Sequence, residues 1–244
     1  MVVVRGEQAQ PGRPVAPRRS SVARGMLTQT RATLAAAREG VRQMDGYTSD
    51  ARWALSQVEV LRRREQVGQE VGTALHELAE ACETAAQIGR VVDRHLRLVI
   101  EEVRKVDGKA SVLPATTQQD QVDNVALRAR LAAVQADLVA TRPFIEQAVV
   151  RLGWASDYAR QAVGGPGPDA QLLVVDQVES RLTGVAEVSV KLRQHLTQAR
   201  DDIDRARGLA DAICGAASVR MDSHRDRDHS PAAREGRTTP GIGL

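Results

Sequence analysis

Apolar residues recur along most of this chain at alternating intervals of four and three, the spacing that lines one seam of an α-helix wound against others. Ala23, Leu27, Thr30, Leu34, Ala37, Val41 and Met44 keep that beat and predict a first helix over about 20–44. Asp45-Gly46 reads as its stop, and Ser49-Asp50 as the N-cap of a second helix over 50–106. The second seam is clearest from Val71 through Leu75, Leu78, Cys82, Ala85, Gly89, Val92, Leu96, Val99 and Val103 to Val106. Carried backwards, that register reaches Leu61 but places Arg64 and Gly68 on the seam, so a weak point is predicted near 62–68. Asp107-Gly108 reads as the second stop.

A third helix is predicted over about 120–163, with Leu127, Leu131, Val134, Leu138, Thr141, Ile145, Ala148, Leu152, Ala155 and Ala159 in one register. Pro143 falls inside it, removes an interior hydrogen bond and is expected to kink or divide the helix. Gly164-Gly165-Pro166-Gly167-Pro168 breaks the chain, and Asp169 caps a fourth helix over 169–219 that holds the beat from Val175 to Ala217. The fold class that follows is all-α: an elongated antiparallel bundle of about four long helices with coiled-coil-like packing. Proline, glycine and arginine without periodicity predict a disordered basic arm over 1–19, and a polar run predicts a disordered tail over 220–244. Met26, at the onset of the helical pattern, is an alternative start to Met1.

Composition sharpens this picture. Of 244 residues only 2% are aromatic, namely Tyr47, Trp53, Phe144, Trp154 and Tyr158. Ligand pockets rely on aromatic area, so a thin core of Leu, Val, Ile and Ala is expected instead. In the antiparallel arrangement the turns at 45–50 and 163–169 share one end, and Tyr47, Trp53, Trp154 and Tyr158 fall towards it. These four are the candidate interaction surface, set against a plain plug closing the bundle. Gly46-Tyr47-Thr48-Ser49-Asp50 also echoes Gly153-Trp154-Ala155-Ser156-Asp157, which would fit a duplicated hairpin, although beyond those five residues the halves share only the seam pattern common to any two coiled coils.

The net charge of +3 is concentrated at the start of the chain. Residues 1–25 hold Arg5, Arg13, Arg18, Arg19 and Arg24 against Glu7, and 220–244 hold five arginines against four acids, leaving −2 for 26–219. The body is therefore expected to lack a phosphate-binding face, and a DNA-associated reading rests on the basic arm alone. No run of about 18 apolar residues predicts a membrane span, and Arg5 interrupts any signal-peptide core. A cytoplasmic location follows, with export independent of a signal peptide as the alternative.

Chemistry-bearing residues are sparse. His76-Glu77-Leu78-Ala79-Glu80 approaches the HExxH zinc motif, but its second ligand position is Glu80 and both polar ends lie off the seam, so it reads as an exposed pair. His95 and His195 flank the seam at corresponding heptad positions, where a contact would respond to pH. Cys82 sits on the seam as a small hydrophobe, and Cys214 one step off it. Asn124 and Ser189 are polar residues at seam positions, the former near a helix start where it reads as a cap. No catalytic, cofactor-binding or metal-binding set emerges, and no cofactor or small-molecule substrate is expected.

Residues 20–219, rich in Ala, Arg and Val in heptads, together with the Arg234-Glu235-Gly236-Arg237-Thr238-Thr239-Pro240 tail, resemble the helical N-terminal regions of actinobacterial polymorphic toxins and uncharacterised actinobacterial coiled-coil proteins. The chain is also similar in kind to secreted helical hairpins of the WXG class, although here glycine precedes the aromatic at Gly153-Trp154. The resemblance implies an exported or toxin-associated helical module and assigns no functional residue. From the seams themselves the expectation is a non-enzymatic interaction or scaffold protein that self-associates or binds a partner helix.

Overall fold

The computed structural model describes residues 16–63, 69–111, 117–163 and 168–228. They form four helices: α1 (Ala16–Arg63), α2 (Gln69–Ala110), α3 (Gln118–Val163) and α4 (Pro168–Asp228). α1 packs on α2, α2 on α3 and α3 on α4, and α4 returns to α1, closing a ring whose diagonal pairs do not meet among the described residues. The contacts run in opposite order along each pair. Asp107 meets Arg128, Asp93 meets Arg142 and Ala79 meets Ser156 between α2 and α3. Arg24 meets Asp211 and Arg52 meets Leu182 between α1 and α4, while Arg130 meets Asp202 and Trp154 meets Arg181 between α3 and α4. Three antiparallel pairs around a four-membered ring require the fourth, α1 with α2, to be antiparallel as well.

The seam residues read from the sequence form the core. Leu27, Leu34, Val41, Leu78, Leu96, Leu127, Leu138, Leu152, Leu192 and Ile203, among many others, are fully buried. Hydroxyls on the seam are largely satisfied within their own helix: Thr30, Thr48 and Thr141 donate to the carbonyls of Met26, Met44 and Asp137 at 2.8, 2.8 and 2.6 Å. Ser156 instead bridges helices, donating to the Ala79 carbonyl at 3.0 Å. A polar group in so apolar a core needs such a partner to offset its desolvation. The Ser189 hydroxyl is buried without one among the described residues.

With seam positions written a and d, each helix has one e flank and one g flank, and the ring sorts them. The e flanks of α1 and α4 face each other, as do those of α2 and α3, while g faces g between α1 and α2 and between α3 and α4. Gly40 on the g flank of α1 lets Ile88 and Val92 of α2 come close; a Cβ there would lie 2.6 Å from Val92 Cγ2. Gly89 does the same on the seam, where a Cβ would lie 2.6 Å from Val149 Cγ2, beside Met44 and Ile145. Small residues at these points draw neighbouring backbones together.

The helix boundaries differ from the sequence expectation in four places. The main correction concerns Asp45-Gly46 and Ser49-Asp50, which end no helix and begin none: α1 runs on to Arg63, and α2 begins at Gln69 rather than Asp50. The beat continues through the supposed turn as Met44, Thr48, Ala51, Leu55 and Val58, all buried. Gly46 falls on the outer f position, where a missing side chain costs only helix propensity. The end of α1 at Arg63 falls within the weak stretch expected at 62–68, of which 64–68 lie outside the described residues. The C-termini of α1 and α3 and the N-termini of α2 and α4 share one end of the bundle, and the C-terminus of α2 and the N-terminus of α3 lie at the other.

Second, α3 is not divided at Pro143, which lies exposed on its outer face, away from the core contacts. Third, α2 passes through Asp107-Gly108 to Ala110, where the Ser111 amide donates to the Asp107 carbonyl at 2.9 Å. α3 then starts one cap earlier than expected. The Asp120 amide donates to Thr117 Oγ1 and the Thr117 amide to Asp120 Oδ2, both at 3.1 Å, a reciprocal capping box. Fourth, α1 takes in residues 16–19 and α4 runs on to Asp228, beyond the expected limits of 20 and 219. The rest of the expected arm and tail, 1–15 and 229–244, lies outside the described residues.

A direct check follows from the continuity of α1. Replacing Gly46 by Ala in mid-helix, with nothing within 4 Å of the added Cβ, is expected to raise stability by about 0.5–1 kcal/mol in a urea titration followed by circular dichroism. A destabilised Gly46→Ala protein would signal a turn at that position.

Candidate functional site

The structure does not gather the four candidate aromatics into one patch. Tyr47 and Trp53 lie on α1 and Trp154 and Tyr158 on α3, which is diagonal to it. Their shared height is real: Arg52 Nη2 donates to the Leu182 carbonyl at 3.4 Å, and the neighbouring Arg181 guanidinium lies 4.7 Å from the centre of the Trp154 ring. Their roles separate. Tyr158 packs partly buried against the core, Trp154 is covered on one face by a cation–π contact, and Tyr47 flanks α2. Trp53 projects outward with 61% of its surface exposed, which is unusual for so large an apolar side chain. Nor does the pentapeptide echo mark equivalent places, because Thr48 is an a residue and Ala155 a d residue.

His76 and Glu80 form an exposed pair at 3.2 Å along the outside of α2. His195 stacks on Phe144 with ring centres 5.8 Å apart, and Lys191 lies 5.5 Å from the same ring. His95 is half-buried on the opposite g–g side, its Nδ1 without a partner among the described residues. Asn124 does not cap its own helix, whose start is closed by Thr117; it lies inside α3 and donates to the Ala110 carbonyl at 3.1 Å, closing the C-terminus of α2 instead. Among the described residues no group of three or more His, Cys, Asp or Glu converges as a metal cage. The Cys214 side chain lies outside the described set.

The best-built polar cluster is at the α3–α4 interface. Asp202 is 2% exposed, yet it accepts from Arg130 Nη1 at 3.1 Å, Arg205 Nη1 at 3.2 Å and Gln198 Nε2 at 2.9 Å. Each oxygen is engaged, so this carboxylate fixes the register of two helices. Asp93 plays a similar part between α2 and α3, accepting from Arg97 at 2.8 Å and Arg142 at 3.0 Å.

Composition averages concealed a row of arginines on the bundle body, where the −2 balance of 26–219 led us to expect no basic face. Arg24, Arg31, Arg38 and Arg52 occupy e positions of α1, and Arg193, Arg200 and Arg207 occupy e positions of α4. These two flanks face each other across the loosest of the four interfaces, consistent with like charge on both edges. α1 as a whole holds nine arginines against Glu39, Asp45, Asp50 and Glu59, a net +5, while α4 holds eleven acids against nine bases. The recurrence of arginine every seventh residue was the available signal.

Two adjoining hollows of about 410 and 400 Å³ lie along this interface. Arg38, Arg42 and Arg193 line the first, with Glu39 and Thr197; Arg31, Arg38 and Arg200 line the second, with Thr28, Ala32 and Ala35. A third hollow of about 510 Å³ lies between α3 and α4, where Arg151 and Arg181 stand among Asp176, Glu179 and Glu187. No protein-family model, curated protein or solved structure matches the chain.

Burial pushes the Cys82 thiol up to about 12. An unfolded thiol titrates at about 8.5. The buried protonated form therefore contributes stability that is fully present below the unfolded value and is lost as pH rises towards the folded one. In a Cys214→Ser chain, a thiolate-selective reagent is expected to label Cys82 slowly at pH 8–9 and rapidly once urea unfolds the bundle. Rapid labelling of the native protein would contradict the sealed seam.

Proposed function

We propose that the protein is a non-enzymatic helical interaction protein that holds a partner protein against the outer faces of its bundle. The observation that carries this reading is the division of its apolar surface. All four helices bury nearly all their described a and d residues within the chain, yet Trp53 stands 61% exposed and Val190 46% exposed on outer positions. The seam expected to join another copy is occupied internally, so a partner meets the outer face instead. Exposed tryptophan and arginine are the residue types that anchor protein interfaces. The hollows also suit recognition, since long arginines, threonines and alanines on outer helix positions line them.

The test is a photo-crosslinking amino acid placed in turn at Trp53 on α1, Leu98 on α2, Val139 on α3 and Val190 on α4. The expected result is a discrete adduct with one partner protein from at least one face, while the purified chain runs as a 26.4 kDa monomer by size-exclusion chromatography with light scattering. Absence of any adduct from all four faces, or a stable oligomer of the purified chain, would contradict the reading.

A further inference from the structure

Resting on that reading, we infer that the groove between α1 and α4 is the docking site of an acidic amphipathic helix supplied by the partner, with Arg38 at its centre. The ladder of ion pairs across the groove leads to this residue. Arg24 pairs with Asp211 at 2.9 Å, and one heptad on, Arg31 pairs with Asp204 at 2.8 Å. A further heptad puts Thr197 opposite Arg38, where the ladder calls for an acid. The Thr197 hydroxyl is directed back to its own helix, donating to the Arg193 carbonyl at 2.8 Å. Arg38 is half-buried, makes no ion pair among the described residues, and lines both hollows. A half-buried guanidinium without a counter-ion favours an incoming carboxylate, which it can bind through two parallel hydrogen bonds.

The surroundings have the same sign. Arg31, Arg38, Arg42, Arg193 and Arg200 line the two hollows against Glu39 alone, and counting the flanking Asp45 and Asp204 still leaves two positive charges. Apolar contact is available on the same side. Val190 lies exposed on the groove edge of α4, and Trp53 occupies an f position about 40° around α1 from the groove-lining b positions. Acid and apolar residues on one face describe an amphipathic segment.

A helix fits better than other anions. Arginines at seven-residue spacing lie about 10.5 Å apart, two turns of a facing helix, so one acid per heptad meets the row in step. The groove between two antiparallel helices accepts a third as a ridge. A nucleic-acid backbone would bring phosphates against Glu39, Asp45, Asp204 and Asp211, which are interleaved along the row. The remaining segments of the chain carry the wrong sign: 1–15 hold Arg5 and Arg13 against Glu7, and 229–244 hold Arg234 and Arg237 against Glu235. A second copy docked symmetrically would oppose one basic row to another.

The experiment is fluorescence anisotropy on the full chain with a labelled four-heptad peptide carrying glutamate at every seventh position beside a leucine stripe. Two further probes are the same composition interrupted by prolines and a 20-base-pair DNA duplex. Binding is expected for the helical peptide, at least tenfold tighter than for either control and weakening with salt. Arg38→Glu is expected to weaken it tenfold or more. Thr197→Asp, which completes the ladder inside the protein, should weaken it several-fold while raising the melting temperature, so a binding loss there cannot come from misfolding. Equal affinity in Arg38→Glu and the natural chain, equal binding of the proline-interrupted peptide, or tighter binding of the duplex would each overturn the proposal. Crosslinks at Leu98 or Val139 without peptide binding would remove this site and leave the interaction reading standing.

Discussion

The structure depends on one packing constraint: a small aliphatic residue every three or four positions on each helix, sealed against three other such seams. Because the ring is antiparallel, that constraint fixes the flanks too. Once a and d point inward, e must face e on two sides and g must face g on the other two. The contacts that join the helices outside the core lie mostly on those flanks. Gly40 and Ile88 meet across g–g, Asp93 and Arg142 across e–e, and the stack of Phe144 on His195 across the second g–g pair. The low aromatic content belongs to the same logic, since a seam of leucine, valine and alanine leaves little room for a ring.

Flank chemistry then distinguishes the four interfaces. Between α3 and α4 the flanks are complementary, and Asp202 sits buried beneath two arginines and a glutamine. Between α1 and α4 both flanks are arginine-rich, and acids at neighbouring positions offset most of them: Asp211 for Arg24, Asp204 for Arg31 and Arg200, Asp45 for Arg193. Like charges on two facing edges oppose close approach, and two hollows lie along this interface. The same property that weakens it as a structural contact makes it receptive to an anionic partner.

Much of this was legible in the residue pattern. Nearly all the seam positions from Ala23 to Ile213 are buried, Asn124 excepted, and flank residues such as Ala79, Ile100 and Val188 are buried beside them. Helix type and antiparallel order followed, as did the exposed character of His76 and Glu80. Asp45-Gly46 misled because turn chemistry and an outer helix position look alike one residue at a time. Only the uninterrupted step from Met44 to Thr48 to Ala51 tells them apart. The aromatics misled because height along a bundle does not say which helices are neighbours, and α1 and α3 are diagonal. The arginine row escaped because net charge is a sum over faces, whereas recognition depends on one face at a time. No pattern along a single helix shows that Arg38 lacks an acid opposite, since that depends on which residue α4 brings across from it.

Continuity of α1 through 45–50 is the central claim, because without it neither the ring nor the α1–α4 groove exists. Electron–electron double resonance between spin labels at Ala32 and Val60 tests it directly. Both lie at f positions four heptads apart, and an unbroken helix separates their backbones by about 42 Å. A distance distribution centred near that value is expected. One centred at about 20 Å or below, as a hairpin at 45–50 would give, would contradict the account.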